Sequence, residues 1–142
     1  MNNLFRILAI DYGKKRVGIA VTDPMRIIVQ PKEHIINNDK EQLVNQIYSY
    51  INTENVGKIV LGCPEKNNQN AAFVDEIIEF SKSLSELSKK EIVIVDESFT
   101  SVKAVDKMIE SGRKKKFRSQ KGNVDSYAAA IILEEYLQNE NN

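Results

Sequence analysis

Three acidic residues, Asp11, Glu97 and Asp125, have the side-chain type and the positions to share a divalent cation. Asp11 ends one apolar run, Glu97 follows another, and Asp125 lies near the start of the last helical pattern. If the two runs are strands that end close together at one edge of a sheet, and the last helix packs across that edge, the three carboxylates converge. Carboxylates that close repel one another, and a bound cation removes the repulsion.

Such a site suits the hydrolysis of phosphodiester bonds. All of its donors are oxygens, and oxygen ligands favour Mg²⁺ or Mn²⁺ over Zn²⁺. Two such ions about 3.5–4 Å apart activate a water and stabilise the leaving oxygen, so no side-chain nucleophile is required. The pattern therefore predicts nuclease chemistry in which Asp11, Glu97 and Asp125 are catalytic residues and metal ligands.

Each acid also has a purely structural interpretation. Asp11 could cap the turn that follows its strand, and Glu97 could be a solvated turn residue. Asp125 could cap its helix or interact with the helix dipole. Asp96 precedes Glu97 and is expected to point the other way, although the two residues could exchange roles. The joint occurrence of the three acids favours a metal site.

Basic residues near these acids are candidates for holding a nucleic-acid backbone. Residues 103–121 contain eight basic and two acidic residues, although the whole chain, with 20 of each, has no net charge. A run of this kind could contact phosphates, with Phe117 stacking on an unpaired base, or it could be a charged surface loop. The predicted substrate-binding residues are Lys14, Lys15, Arg16, Arg113, Lys114, Lys115, Lys116, Arg118 and Lys121.

Apolar periodicity predicts the elements that position these residues. Two strands joined by a tight hairpin come first, a third strand surrounds Pro31 at an edge or a bulge, and later strands alternate with helices. The predicted strands are 4–10, 17–22, one within 27–36, 58–63 and a central strand at 92–95, and the predicted helices are 40–53, 70–88, 100–110 and 123–138. This order indicates an α/β fold with a mixed five-stranded sheet whose first three strands are antiparallel.

Length and composition predict the number of domains and the cellular location of the protein. A chain of 142 residues suggests one domain, predicted over 1–138, with a polar tail at 139–142. Cys63 is the only cysteine, so an internal disulfide is excluded and a core position is expected. No apolar run is long enough to span a membrane, and no signal peptide is apparent. We therefore expect a cytoplasmic protein with no membrane partner.

Four ordered motifs resemble those of the YqgF/RuvX family across essentially the whole chain. They are Ile10-Asp11-Tyr12-Gly13-Lys14-Lys15-Arg16-Val17-Gly18-Ile19-Ala20-Val21-Thr22-Asp23, Val60-Leu61-Gly62-Cys63-Pro64, Asp96-Glu97-Ser98-Phe99-Thr100-Ser101 and Val124-Asp125-Ser126-Tyr127-Ala128-Ala129-Ala130-Ile131-Ile132-Leu133. The resemblance implies an RNase H-like nuclease fold, similar to that of Holliday-junction resolvases, and trimming of the 5′ end of precursor 16S ribosomal RNA. It also implies that Asp11, Glu97 and Asp125 are the family's acidic residues and that the cation is magnesium or manganese.

The chain departs from the family pattern at two places. Ser98 stands where the family usually has an arginine, and residues 65–70 lack the usual glycine near an aspartate. Both departures concern substrate binding and leave the three acidic residues unchanged.

The sequence is also compatible with other functions. The expected partners are precursor rRNA, branched DNA or a pre-ribosomal particle, and the expected state is a monomer or a weak homodimer. The alternatives are a Holliday-junction-type DNA resolvase, a non-catalytic RNA-binding assembly factor, and an actin-like ATPase or sugar kinase. The last would need a second domain around its nucleotide.

Overall fold

A five-stranded sheet with helices on both faces forms the body of the protein. The computed structural model describes residues 4–96 and 121–140, and in the second range the side chains from residue 124 onward. The strands are β1 (Arg6–Asp11), β2 (Arg16–Thr22), β3 (Val29–Ile36), β4 (Val56–Cys63) and β5 (Glu91–Asp96). The helices in these ranges are α1 (Lys40–Thr53), α2 (Ala71–Ser88) and α3 (Lys121–Glu140).

The strand order is β3-β2-β1-β4-β5. The pairs β1–β2 and β2–β3 are antiparallel, whereas β4 pairs in parallel with both β1 and β5. This arrangement confirms the predicted mixed sheet with an antiparallel start. Because β1, β4 and β5 run in the same direction, their carboxyl ends lie at one edge of the sheet, the edge to which the acids were predicted to converge.

The sheet separates two layers of the core. Side chains of successive residues in a strand point to opposite faces. Leu8 and Ile10 belong to the apolar cluster that α1 and α2 cover, while Ile7 and Ala9 pack with α3 on the other face. All four are at most 2% exposed. The short side chain of Ala9 allows α3 to lie close to the sheet.

Helix α1 has the predicted bounds for local reasons. The Asp39 carboxylate accepts a hydrogen bond from the backbone N–H of Gln42 at 3.0 Å, which caps the helix. The residues at helical spacing are buried as predicted, namely Leu43, Val44, Ile47 and Ile51. Helix α2 also lies within its predicted range, and its buried residues recur at helical spacing, namely Val74, Ile77, Phe80, Leu84 and Ser88, whereas Leu87 is 38% exposed.

The structure corrects several boundaries. The predicted central position of the strand at 92–95 is wrong, because β5 is at the edge of the sheet and β1 occupies the centre. A β-branched run cannot reveal strand order, which depends on pairing with distant segments. Strand β4 begins at Val56, after Asn55 turns the chain at φ 54°, and α3 extends to Glu140 instead of ending at residue 138.

Two further predictions are confirmed, and two fall outside the described residues. Pro31 lies in the edge strand β3, and Cys63 is a buried free thiol, as predicted. The predicted helix 100–110 and the basic residues 113–120 lie outside the described residues. Within the described ranges, none of the helices combines the length and apolar character that crossing a bilayer requires.

Candidate active site

Asp11 is the last residue of the central strand β1 and has a glycine on either side. It pairs with Gly18 of β2 and with Gly62 of β4. Residues paired directly across two strands point to the same face, and Ala9, two residues before Asp11, packs against α3. The Asp11 side chain therefore points to the α3 face, between two positions that have no side chain.

The backbone of Asp125 fills the space that a side chain at Gly18 would need. A Cβ atom placed on Gly18 would lie 2.1 Å from the carbonyl carbon and oxygen of Asp125. Asp11 and Asp125 are thus brought to the same face and the same edge of the sheet, from positions far apart in the sequence. That their carboxylates share a cation stays a prediction.

Ser126 fixes α3 at this contact. Its side chain is completely buried, and its Oγ accepts a hydrogen bond from the backbone N–H of Ile19 at 3.3 Å. The pairing of β2 with β3 is irregular between Val17 and Ile19, where β3 has one extra residue. A side chain on α3 therefore bonds an amide next to an irregular part of the ladder. The sequence analysis assigned no role to Ser126.

Arg16 forms an ion pair with Asp125. The Nε of Arg16 is 3.6 Å from Oδ2 of Asp125, and both side chains are about one-third exposed, at 34% and 29%. Arg16 was predicted to touch a phosphate, and the structure places it beside an acid of the proposed site. Lys14 lies over the ring of Phe73, 5.6 Å from its centroid, and Lys15 is exposed.

The third predicted acid, Glu97, lies outside the described residues. At the described end of β5, Val95 pairs with Gly62 and packs on the α3 side, whereas Asp96 pairs with Cys63 of the opposite face. Two strand spacings, about 10 Å, separate β1 from β5. Within residues 4–96 and 121–140, no group of three or more His, Cys, Asp or Glu side chains is placed to hold a metal ion.

Most of the predicted phosphate contacts involve side chains outside the described ones. Arg113, Lys114, Lys115, Lys116 and Arg118 lie outside the described residues, and the side chain of Lys121, the first residue of α3, is not among those described.

A buried tyrosine holds the turn that follows Asp11. Tyr12 is 3% exposed and packs on Phe80, with ring centroids 4.8 Å apart. Its hydroxyl donates to Oε2 of Glu76 at 2.5 Å. Burial first, and then this hydrogen bond, raise the pKa of Tyr12 to about 12. Nothing in the sequence pointed to Glu76 as the partner of Tyr12, because the two residues are 64 positions apart.

Asn37, which directly follows β3, stabilises the same turn. Its Nδ2 donates to the carbonyl of Gly13 and its backbone N–H donates to the carbonyl of Lys15, both at 2.8 Å. The turn is tight, because a Cβ on Gly13 would lie 2.3 Å from the carbonyl oxygen of Arg16. Asn37 lies three residues before the predicted helix start at residue 40, and sequence analysis assigned it no role.

The family model described as RuvX, Holliday junction resolvase, matches residues 5–139. The chain belongs to this family. A RuvX-family relative in Phocaeicola vulgatus, named "Putative pre-16S rRNA nuclease", is 42% identical over 138 residues, covering 94% of this chain and 95% of the relative. A relative of the same name in Flavobacterium psychrophilum is 41% identical over 134 residues, covering 93% and 96%.

Solved structures share the fold of this RuvX-family chain at low identity. The RuvC protein of T. thermophilus, in complex with a Holliday junction, is similar with a TM-score of 0.63 at 12% identity, covering 94% of this chain and 96% of that one. The fowlpox virus resolvase, solved with junction DNA, has a TM-score of 0.61 at 15% identity, covering 96% and 99%. These findings confirm the predicted family, the RNase H-like fold and the assignment to the nucleases, which are hydrolases.

Proposed function

We propose that this RuvX-family nuclease cleaves phosphodiester bonds in precursor 16S rRNA, using Asp11, Glu97 and Asp125 to hold Mg²⁺ or Mn²⁺. The observation that carries the proposal is the placement of Asp11 and Asp125 on one face of the sheet, at the carboxyl edge, on either side of Gly18. Glu97 is proposed in preference to Asp96 because the described end of β5 sends Asp96 to the opposite face.

The donor set fits a hard cation. Asp11 and Asp125 provide carboxylate oxygens, and oxygen ligands suit magnesium and manganese. Gly62 lies beside Asp11 towards β5, so no side chain occupies that position between the two strand ends. When bound, ions of this class supply an activated water and stabilise the leaving oxygen. The ion pair with Arg16 offsets the charge of Asp125 when no cation is present.

The basic residues of the chain would hold and orient the substrate. Arg16 lies next to Asp125 and has a planar group that matches the geometry of a phosphate. The turn at Lys14 and Lys15 is braced by Asn37, so its position relative to Asp11 is fixed. We propose that the remaining contacts come from Arg113, Lys114, Lys115, Lys116, Arg118 and Lys121.

Two kinds of nucleic acid are candidate substrates. The relatives at about 40% identity are named for precursor 16S rRNA, which favours RNA. The proposed partner that carries this RNA is a pre-ribosomal particle. The family description and the structural neighbours name Holliday junctions, which makes branched DNA the second candidate. Cytoplasmic location and a monomeric or weakly dimeric state complete the proposal.

The central test is cleavage by purified protein of a precursor 16S rRNA fragment and of a four-way DNA junction, each with Mg²⁺ or Mn²⁺. We expect cleavage of the RNA. Asp11→Asn, Glu97→Gln and Asp125→Asn should each lower kcat/KM by at least about a hundredfold, because each removes a proposed metal ligand. Preferential cleavage of the junction would move the substrate assignment to DNA.

Asp96→Asn is the matched control. It removes an acid next to Glu97 that faces the other side of the sheet, so activity should be retained. Circular dichroism spectra should show that all four variants are folded. Full cleavage by Asp11→Asn or Asp125→Asn would exclude the mechanism, and binding of RNA without any cleavage would support a non-catalytic assembly factor.

A cellular experiment tests the substrate separately. Depletion of the protein should lead to accumulation of 16S precursor with an untrimmed 5′ end. Complementation with Asp11→Asn should not restore trimming, whereas Asp96→Asn should. Normal 16S ends after depletion would contradict a role in this step.

A further inference from the structure

A groove lies between α1 and α2, on the face of the sheet opposite α3. Its volume is about 650 Å³, within the range of ligand-binding clefts. Tyr12, Val44 and Phe80 give it an apolar floor, and all three are at most 9% exposed. Along α2 the lining extends from Ala72 to Ser83, a separation that corresponds to about 17 Å of helix. The groove is therefore long enough for about five residues of an extended peptide.

The rim of the groove is acidic. Four carboxylates and one ammonium group line it, from Glu41, Asp75, Glu76, Glu79 and Lys40. Lys40 is 3.7 Å from Glu76, and Lys66 pairs with Asp75 at 2.9 Å. Within the described ranges, neither Glu41 nor Glu79 forms an ion pair. Two of the four rim carboxylates thus have no ion-pair partner among the described residues, and they lie beside an apolar floor.

This combination selects the chemistry of an occupant. A nucleic-acid backbone would be repelled by the rim, while a free polyamine would leave the apolar floor uncovered. A short segment with alternating basic and apolar residues satisfies both parts, since its successive side chains point in opposite directions. We infer that the groove between α1 and α2 is a docking site for a basic amphipathic segment of a partner protein.

The groove reaches the turn next to Asp11. Tyr12, which forms part of the floor, directly follows Asp11, and its hydroxyl donates to Glu76 on the rim. A cation that pairs with Glu76 competes with this bond and with Lys40. The docking surface is therefore connected to the candidate active site through one side chain, although docking itself does not depend on the proposed nuclease activity.

Binding of a defined probe tests the inference. The probe is a fluorescein-labelled peptide of sequence Lys-Leu-Lys-Phe-Lys, added to the full-length protein and followed by fluorescence anisotropy. We expect saturable binding with a Kd below about 1 mM, weakening as salt is added. The peptides Lys-Gly-Lys-Gly-Lys and Glu-Leu-Glu-Phe-Glu should bind at least tenfold more weakly, because each lacks one of the two required features.

Variants of the groove locate the site. Glu79→Lys reverses a rim charge and Ala72→Phe adds bulk at one end of the groove without a charge change, and each should weaken binding of the probe at least tenfold. Glu86→Lys, an exposed change on the same helix outside the groove lining, should leave binding unchanged. Thermal unfolding should show that all three variants are folded.

Several results would overturn the inference. They are a wild-type protein that does not bind the probe, Ala72→Phe binding as tightly as wild type, and Glu86→Lys weakening binding as much as Glu79→Lys. Equal binding of the Lys-Gly-Lys-Gly-Lys peptide would likewise overturn it, since attraction by charge alone would then explain the data. None of these measurements uses cleavage, so a failure here is distinguishable from a failure of the proposed function.

Discussion

Asp11 and Tyr12 are consecutive in the chain but serve opposite faces of the sheet. Asp11 lies on the α3 face, where Asp125 approaches, while Tyr12 is buried among the residues that α1 and α2 cover. One step of strand alternation therefore joins a candidate metal ligand to the core of the other layer. Changes at Tyr12 should affect stability in a way that can be measured apart from activity.

The hydroxyl of Tyr12 gives a pH-dependent prediction. Below pH 10, Tyr12→Phe should lower the free energy of unfolding by about 1–3 kcal/mol, because it deletes a buried hydrogen bond to a carboxylate. The pKa of Tyr12 is raised in the folded state, from 10.0 to about 12, so its contribution is present below pH 10 and is lost as the pH rises to 12. The stability difference between wild type and variant should shrink over that interval.

Urea denaturation at a series of pH values measures this difference. Tyr48→Phe is the control, since it removes a hydroxyl from α1 without touching the bond between Tyr12 and Glu76. The bond between Tyr12 and Glu76 is intact in this variant, so only the change specific to Tyr12→Phe is attributed to that bond. A constant difference for Tyr12→Phe between pH 10 and 12 would show that this tyrosine does not titrate as its surroundings indicate.

Individual residues show which parts of the site could be predicted from the sequence and which could not. Asp11 and Asp125 could be proposed from their positions alone, because each stands at the end of a recognisable element. The bond between Tyr12 and Glu76 joins residues 64 positions apart, and it depends on how α2 lies on the sheet. The contact of Arg16 with Asp125 likewise depends on the docking of α3, which no local pattern encodes.

At the scale of elements, the docking of α3 on β2 decides the geometry of the site. Gly18→Ala would place a Cβ 2.1 Å from the Asp125 carbonyl and 2.5 Å from the backbone nitrogen of Ser126. The clashing atoms are backbone, so the helix must move. We expect a loss of about 1–3 kcal/mol in the free energy of unfolding and a loss of cleavage greater than tenfold, because Asp125 moves with the helix.

Gly57→Ala provides the comparison for this prediction. Its Cβ would meet the side chain of Phe5, at 2.6 Å, at the start of β4 and far from the carboxyl edge. Phe5 must shift as a whole, because its own Cβ would be only 2.9 Å away, so stability should also fall. Cleavage should be retained, because this contact does not involve Asp125 or its helix. Equal loss of cleavage in both variants, measured with the protein shown to be folded, would contradict the role of the Gly18 contact in placing Asp125.

Elements with strong local signals were predicted well. Helix α1 has a capping aspartate and four apolar residues at helical spacing, and both its bounds and its buried face were confirmed. The edge position of β5 was not predicted, because an apolar β-branched run looks the same in a central strand and in an edge strand covered by helices. The two glycines that flank Asp11 became meaningful only once the register was known.

At the scale of the whole molecule, the net charge is zero, but the charged residues are unevenly distributed. The chain has 20 basic and 20 acidic residues, yet the groove between α1 and α2 has an acidic rim and residues 103–121 are strongly basic. Sequence analysis located the basic segment along the chain. It could not show that the acids of α1 and α2 share one groove, because that requires the packing of the two helices. The single-domain assignment for residues 1–138 stays a prediction.

Balanced charge implies that any attraction to nucleic acid is local. At physiological ionic strength charges act over about 8 Å, so a net charge of zero neither attracts nor repels a long polyanion. Phosphate contacts then determine the salt dependence of binding, with a slope of about 0.7–0.9 per contact in a plot of log K against log salt.

Combined replacement of Lys114, Lys115 and Lys116 by Gln should lower this slope by about 2–3, measured by filter binding of RNA without divalent cations. The same replacement of Lys82, Lys89 and Lys90, near the end of α2, removes equal charge from a surface outside the proposed interface and should leave the slope unchanged. If both triple variants lowered the slope equally, overall charge would govern binding and the proposed role of residues 113–121 would be wrong.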